Sequence, residues 1–289
     1  MSRPAAPDAG APAWFDRALA RAPEHRDVEV AGARVHYRAW GDGDAPGLVL
    51  VHGGAAHSGW WDHVAPLLGS HRVVAVDLSG HGDSSWRPEY TMSLWAREVL
   101  AVAAAEGLDR PVVLGHSMGG WVTLTAAVEH GPALAGAAVI DSPLAARPPE
   151  ESRAGGIART HRVYADPGEA VVRFRTLPPQ EEYLPYVMAH VARGSLRRAE
   201  GGWTWKFDPG FFGPRPDLRD VLPRLATPAA LFRCERGLVG PGMAAEMAGL
   251  APGGLTVVDL PEAGHHPMLD QPLALVTAVR TLLALWPGR

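Results

Sequence analysis

The chain has 289 residues, 47% hydrophobic and 20% charged, enough to bury a core as one large domain or two small ones and to exclude disorder over most of its length. Its 27 Lys+Arg against 31 Asp+Glu leave a net charge of −4, which gives no reason to expect nucleic acid, and its one cysteine, Cys234, excludes an intrachain disulfide. No run reaches the roughly 18 apolar residues of a membrane span, and residues 1–12 lack the apolar run of a signal peptide, so the expectation is a cytoplasmic protein without a membrane partner.

Residues 1–26 read as a tail ending in a short helix around Trp14. Val28-Glu29-Val30 and the segment 34–40 alternate with period two about Ala31-Gly32-Ala33, which predicts a hairpin. The turn cluster Gly41 to Gly47 follows. Its Pro46 precedes a strand rather than a helix, which speaks against a nucleotide loop. Then come short, wholly apolar runs at 48–51, 73–76, 111–114, 137–140, 229–232 and 256–260. Runs without alternation are buried on both faces, as in a parallel sheet covered by helices. Helical segments are predicted between them at 61–68, 92–106, 118–129, 241–250 and 272–285. This alternation predicts a doubly wound, mostly parallel α/β sheet. The pattern breaks between 144 and 222, where Pro, Arg and aromatic residues accumulate and no buried strand is expected. Within it, Asp166-Pro167-Gly168-Glu169 carries the marks of a helix start.

Three local patterns carry chemistry. Gly115-His116-Ser117-Met118-Gly119 joins a strand to a helix and has the G-x-S-x-G form of a nucleophile elbow. His52-Gly53-Gly54 ends another strand; its Gly54 amide and that of Met118 are the candidate donors of an oxyanion hole. Gly264-His265-His266 follows the last strand run. His265 is the candidate general base, and His266 a pocket or surface histidine. His81 and Asp83 have no accompanying metal-binding run, so no metal is expected.

These motifs, with the loop Asp77-Leu78-Ser79-Gly80-His81-Gly82-Asp83-Ser84, resemble the α/β-hydrolase fold superfamily in their order along nearly the whole chain. The resemblance implies a Ser–acid–His triad and no cofactor. It also implies a helical lid at 144–222, inserted before the penultimate strands of a core formed by 27–143 and 223–289. The acid has two candidates. Many relatives carry an Asp in the loop after the strand that follows the lid, where this chain has only Glu235. Asp141 closes the strand before the lid, the other position used, and is the favoured choice.

Trp203 and Trp205 share one face of an extended segment. They either pack the lid on the core or, with Trp60, Trp61 and His116, line an apolar substrate pocket. The expected activity is hydrolysis of a small-molecule ester, thioester or lactone with an apolar part. A carbon–carbon bond hydrolase, a cofactor-free perhydrolase, an acyltransferase or a non-catalytic small-molecule receptor are the competing readings on this scaffold. Sequence leaves the natural substrate and the oligomeric state open.

Overall fold

Residues 10–145, 162–211 and 215–286 are described by a computed structural model. Ten strands can be named: β1 Glu24–Val30, β2 Ala33–Trp40, β3 Gly47–Val51, β4 Arg72–Val76, β5 Val112–His116, β6 Gly136–Ile140, β7 Leu196–Ala199, β8 Gly202–Trp205, β9 Ala229–Arg236 and β10 Thr256–Gly264. Eight of them form one sheet in the order β1-β2-β4-β3-β5-β6-β9-β10. The β1–β2 and β2–β4 pairs are antiparallel, and every pair from β4 to β10 is parallel. The β1–β2 turn places Ala31 and Gly32 at φ 46° and 77°, the left-handed pair whose twist suits a two-residue hairpin.

The four strands β3 to β6 are buried along their whole length, and the pleat divides their side chains between two cores. Val49, Val51, Val74, Val76, Val113 and Val139 face helices α2 (Met92–Ala105) and α3 (Met118–His130), which follow the N-terminal helix α1 (Ala13–Leu19). Leu48, Leu50, Val73, Leu114 and Ile140 face Phe15, Trp61 and the C-terminal helix Pro272–Leu285. Apolar character on both faces is why these strands lack alternation in the sequence.

Two expectations need correction. The segment 61–68 is not one helix but two 3₁₀ turns, Ser58–Trp61 and Ala65–Leu68. Pro66 has no N–H and would clash with the preceding turn, so an α-helical ladder cannot run through it. The insertion between β6 and β9 is not wholly helical either. It holds helices Pro167–Val172 and Pro185–Gly194 together with the antiparallel hairpin β7–β8. The expected helix start at Asp166 forms, its carboxylate accepting the Glu169 amide at 2.8 Å. Phe212 and residues 146–161, also read as part of this insertion, lie outside the described residues.

Candidate active site

Ser117 stands alone between β5 and α3 at φ 51°, ψ −115°. A non-glycine residue there costs on the order of 1–3 kcal/mol and persists only where its surroundings over-determine it. They do so here: the Ser117 amide donates to Ile140 O at 2.9 Å, and its carbonyl accepts from the Gly120 amide and the Ser142 hydroxyl, both at 2.9 Å. The glycines of the motif permit the close packing beneath it. A Cβ on Gly115 would lie 2.1 Å from Gly119 O, and one on Gly119 would lie 2.5 Å from the carbonyls of Val51 and His52.

The strand ends of β6 and β10 bring two further groups to this serine. His265 Nε2 is 3.0 Å from Ser117 Oγ, and His265 Nδ1 is 2.7 Å from Asp141 Oδ2. A carboxylate can only accept, so Nδ1 carries the proton and Nε2 of the neutral ring faces the hydroxyl as acceptor. Asp141 is fully buried. Its oxygens also accept the amides of Leu238 (2.6 Å) and Val239 (3.0 Å), from the loop after β9. Gly237 makes that approach possible, since a Cβ there would lie 2.3 Å from Asp141 Oδ2. Glu235, the alternative acid, is exposed, accepts the Glu262 amide at 2.8 Å and makes no hydrogen bond with His265.

His52-Gly53-Gly54 packs directly against the elbow. A Cβ on Gly53 would sit 2.8 Å from His116 Nδ1 and 3.4 Å from Ser117 Cβ. His52 ties this loop down, donating from Nδ1 to Gly53 O (2.7 Å) and accepting the Leu78 amide at Nε2 (3.1 Å). Among the described residues, the amides of Gly54 and Met118 have no acceptor. Met118 is the first residue of α3, where helix geometry leaves the amide free. Phe211 covers the loop, with ring carbons 3.1–3.3 Å from where a Gly54 Cβ would stand.

His116 and His266 flank His265, with ring centroids 4.9 and 4.7 Å from it. Burial first, then repulsion from His265, pushes both imidazoles well below their usual range, so both are neutral. His116 donates to the His265 carbonyl at 2.8 Å and so clamps the loop that carries that residue.

The tryptophans divide. Both Trp60 and Trp61 are buried in the core on one face of the sheet, but the Trp60 ring also meets His266 and Phe174 at a tilt, with centroids 5.5 and 6.2 Å away. Trp205 contacts Phe174 and Tyr164. Trp203 packs in the insertion's own small cluster, with the Arg198 guanidinium 4.2 Å over its ring. A second histidine–serine pair, His57 and Ser195 (3.0 Å), has the wrong polarity for nucleophile activation. Its Nδ1 accepts the Gly59 amide, so Nε2 donates, and the Ser195 hydroxyl already donates to Val191 O.

Sequence reading has no signal for Leu238, Val239 or Ser142, whereas Phe211 stands out there as one of the aromatic residues that follow Trp203 and Trp205. The first two act through main-chain amides that every residue but proline possesses. Gly237 was the one visible mark in that loop.

A mostly parallel sheet of this strand order, with a strained serine after the central strand and a histidine after the last, defines an α/β hydrolase. The model of the alpha/beta hydrolase family matches residues 48–279, and the chain belongs to that family. Among curated proteins it is similar to esterase Rv0045c of Mycobacterium tuberculosis, 30% identical over 254 residues that cover 84% of each chain. It is also similar to lipase LipV of the same organism, 25% identical over 70% of this chain and 78% of the other. Among solved structures, E-2-(acetamidomethylene)succinate hydrolase superposes with a TM-score of 0.77 at 20% identity, covering 91% of this chain and 99% of its own. Among the described residues, no helix is long and apolar enough to cross a membrane.

Proposed function

We propose that the chain is a serine esterase that cleaves a small carboxylic ester, thioester or lactone with an apolar part through an acyl-enzyme on Ser117. The observation that carries this reading is the unbroken hydrogen-bonded series Ser117–His265–Asp141, with its serine on a strained turn. The names of the relatives, an esterase and a lipase, support the ester as substrate.

His265 takes the Ser117 proton at Nε2 as Oγ attacks the carbonyl carbon. Asp141 fixes the tautomer of the neutral ring beforehand and stabilises the imidazolium that results. The amides of Gly54 and Met118 receive the oxyanion, each such donor being worth on the order of 3–4 kcal/mol in the transition state. The tetrahedral intermediate collapses, the leaving alcohol or thiol takes the proton from His265, and the acyl group stays on Oγ. Water, deprotonated by His265, then attacks the acyl-enzyme and releases the acid. Every proton moved belongs to a side chain or water, so the cycle needs no cofactor. The described part of the insertion, 162–211, acts as a lid, and Trp60 and Phe174 border the apolar part of the substrate, with Trp205 behind them.

A panel of p-nitrophenyl esters of rising acyl length, read beside fluorophosphonate labelling, tests this. Wild type should turn over the panel and be labelled on Ser117, and Ser117→Ala should lower kcat at least about 10³-fold with the fold intact. More than a tenth of wild-type turnover in Ser117→Ala, or labelling of another serine, would remove Ser117 from the role.

A further inference from the structure

We propose that Gln180, a residue of the insertion, is a positioning residue for the reaction: its side chain holds the main chain that aims His265 at Ser117. The inference rests on the reading of Ser117 and His265 as nucleophile and base.

His265 stands where regular structure gives its main chain little support. Strand β10 ends at Gly264 on the outer edge of the sheet, and the helix Pro267–Asp270 begins with a residue that has no N–H. Three side chains do the holding instead. Asp270 Oδ2 accepts the Gly264 amide at 2.6 Å, His116 Nε2 donates to the His265 carbonyl at 2.8 Å, and Gln180 Oε1 accepts the His266 amide at 2.8 Å. Among the described residues, the His266 amide has no main-chain acceptor. Asp270 and His116 belong to the core, whereas Gln180 reaches in from the insertion, 86 residues away from His266 in the chain.

The orientation of the Gln180 carboxamide is fixed by its second bond. Its Nε2 donates to Glu182 O at 2.9 Å. Turning the group over would set donor against donor at His266 and acceptor against acceptor at Glu182. The Gln180 amide donates in turn to Thr176 Oγ1 at 3.0 Å, so the side chain starts from a tied turn. Gly264 leaves the space it needs, since a Cβ there would lie 2.5 Å from Gln180 Oε1.

The same segment meets the His265 loop twice more: Pro178 O accepts from His266 Nε2 at 3.1 Å, and the Leu184 amide donates to Leu269 O at 2.8 Å. Beside it lies a cavity of about 490 Å³ bordered by Pro178, Gln180, Arg236, Leu238 and His265. On that side the loop is steadied by hydrogen bonds more than by close packing, so removal of the Gln180 acceptor leaves it room to shift. A general base works only within hydrogen-bond reach of its proton, and a misplacement of about 1 Å can cost on the order of 10²-fold in rate.

Hydrolysis of p-nitrophenyl butyrate by the full chain, with the rate of fluorophosphonate labelling of Ser117, tests this. Gln180→Met keeps the length of the side chain and removes both bonds. Its kcat and its labelling rate should fall together by about 10- to 100-fold, with KM within about twofold of wild type and the far-UV circular dichroism unchanged. Gln180→Glu keeps an oxygen for the His266 amide and loses only the donor to Glu182 O, so at pH 8 its kcat should stay within about fivefold of wild type. A glutamine that served only to close its own turn onto Glu182 would make Gln180→Glu at least as damaging as Gln180→Met, and that ranking overturns the proposal. So does a kcat in Gln180→Met within about twofold of wild type. If Gln180→Met does not fold, Gln180→Ala is measured in its place. Failure of wild-type Ser117 to label would bring down the esterase reading and this inference with it, whereas labelled, active wild type beside an unimpaired Gln180→Met brings down the inference alone.

Discussion

The Asp141 side chain sits between an imidazole and two main-chain amides. Replacing it by Asn puts an N–H₂ where one acceptor oxygen stood, and that group can turn the imidazole to the wrong tautomer. Asp141→Asn should therefore lower kcat by about 10⁴-fold, whereas Glu235→Gln, which only weakens a bond to the Glu262 amide, should cost less than about tenfold. Steady-state hydrolysis of a single p-nitrophenyl ester by the two variants separates them, and the reverse ranking would transfer the acid's role to Glu235. At this scale the sequence was most legible where chemistry is local. Ser117 and His265 each sit in a motif of a few residues, but the bonds that single out Asp141 join it to positions 97, 98 and 124 residues away.

Among the elements, the wholly apolar strands were readable because burial on both faces leaves one simple pattern. The segment 61–68 was not, because its apolar content fits a helix and only Pro66 marks the break. The hairpin β7–β8 shows the same tension: Trp203 and Trp205 do share a face, but their contacts lie within the insertion and along the line Trp205–Phe174–Trp60. This gives the two tryptophans different expected weights. Trp205→Ala should impair long apolar esters more than acetates, by on the order of 1–3 kcal/mol in selectivity. Trp203→Ala should affect both alike. The ratio of kcat/KM for p-nitrophenyl octanoate and acetate reads the difference, and equal losses in Trp205→Ala would confine that ring to packing. On the far side of the sheet, Thr91 caps α2 by accepting the Leu94 amide at 3.1 Å. Thr91→Ala should lower stability by about 1 kcal/mol in urea unfolding with activity unchanged.

For the molecule as a whole, the interior holds neutral histidines. Burial depresses His57 to about 3 and His63 to about 4, while the unfolded chain protonates such groups near about 6.5. Above that pH neither state binds the proton and the stability contribution is complete. As pH falls from about 6.5 toward 4 and then 3, the unfolded state takes up protons that the folded state refuses. Each group should then remove about 1.4 kcal/mol per pH unit. Asp77 acts lower on the scale: burial alone would raise it, but the hydrogen bond and charge of His36 bring it below the usual carboxylate range. Its contribution survives down to about 3.9 and is lost only as pH falls further toward its folded value. Urea midpoints should thus be level between pH 8 and 7 and decline steadily from 6.5 to 5. A midpoint unchanged down to pH 5 would contradict the neutral burial of His57 and His63.

The loop that seats Asp141 does so with the amides of Leu238 and Val239, and this bears on how the family can vary. A donor that belongs to the peptide unit is not erased by exchanging a side chain, short of proline. Position 238 can therefore drift through many residue types while the carboxylate keeps its seat, and Val239, buried in the core, through apolar ones. Position 237 cannot, because any side chain there meets the carboxylate itself. Descendants of this chain should differ most at position 238, stay apolar at 239 and agree at Gly237, so that a loop with almost no recognisable signature still transmits the geometry of the acid.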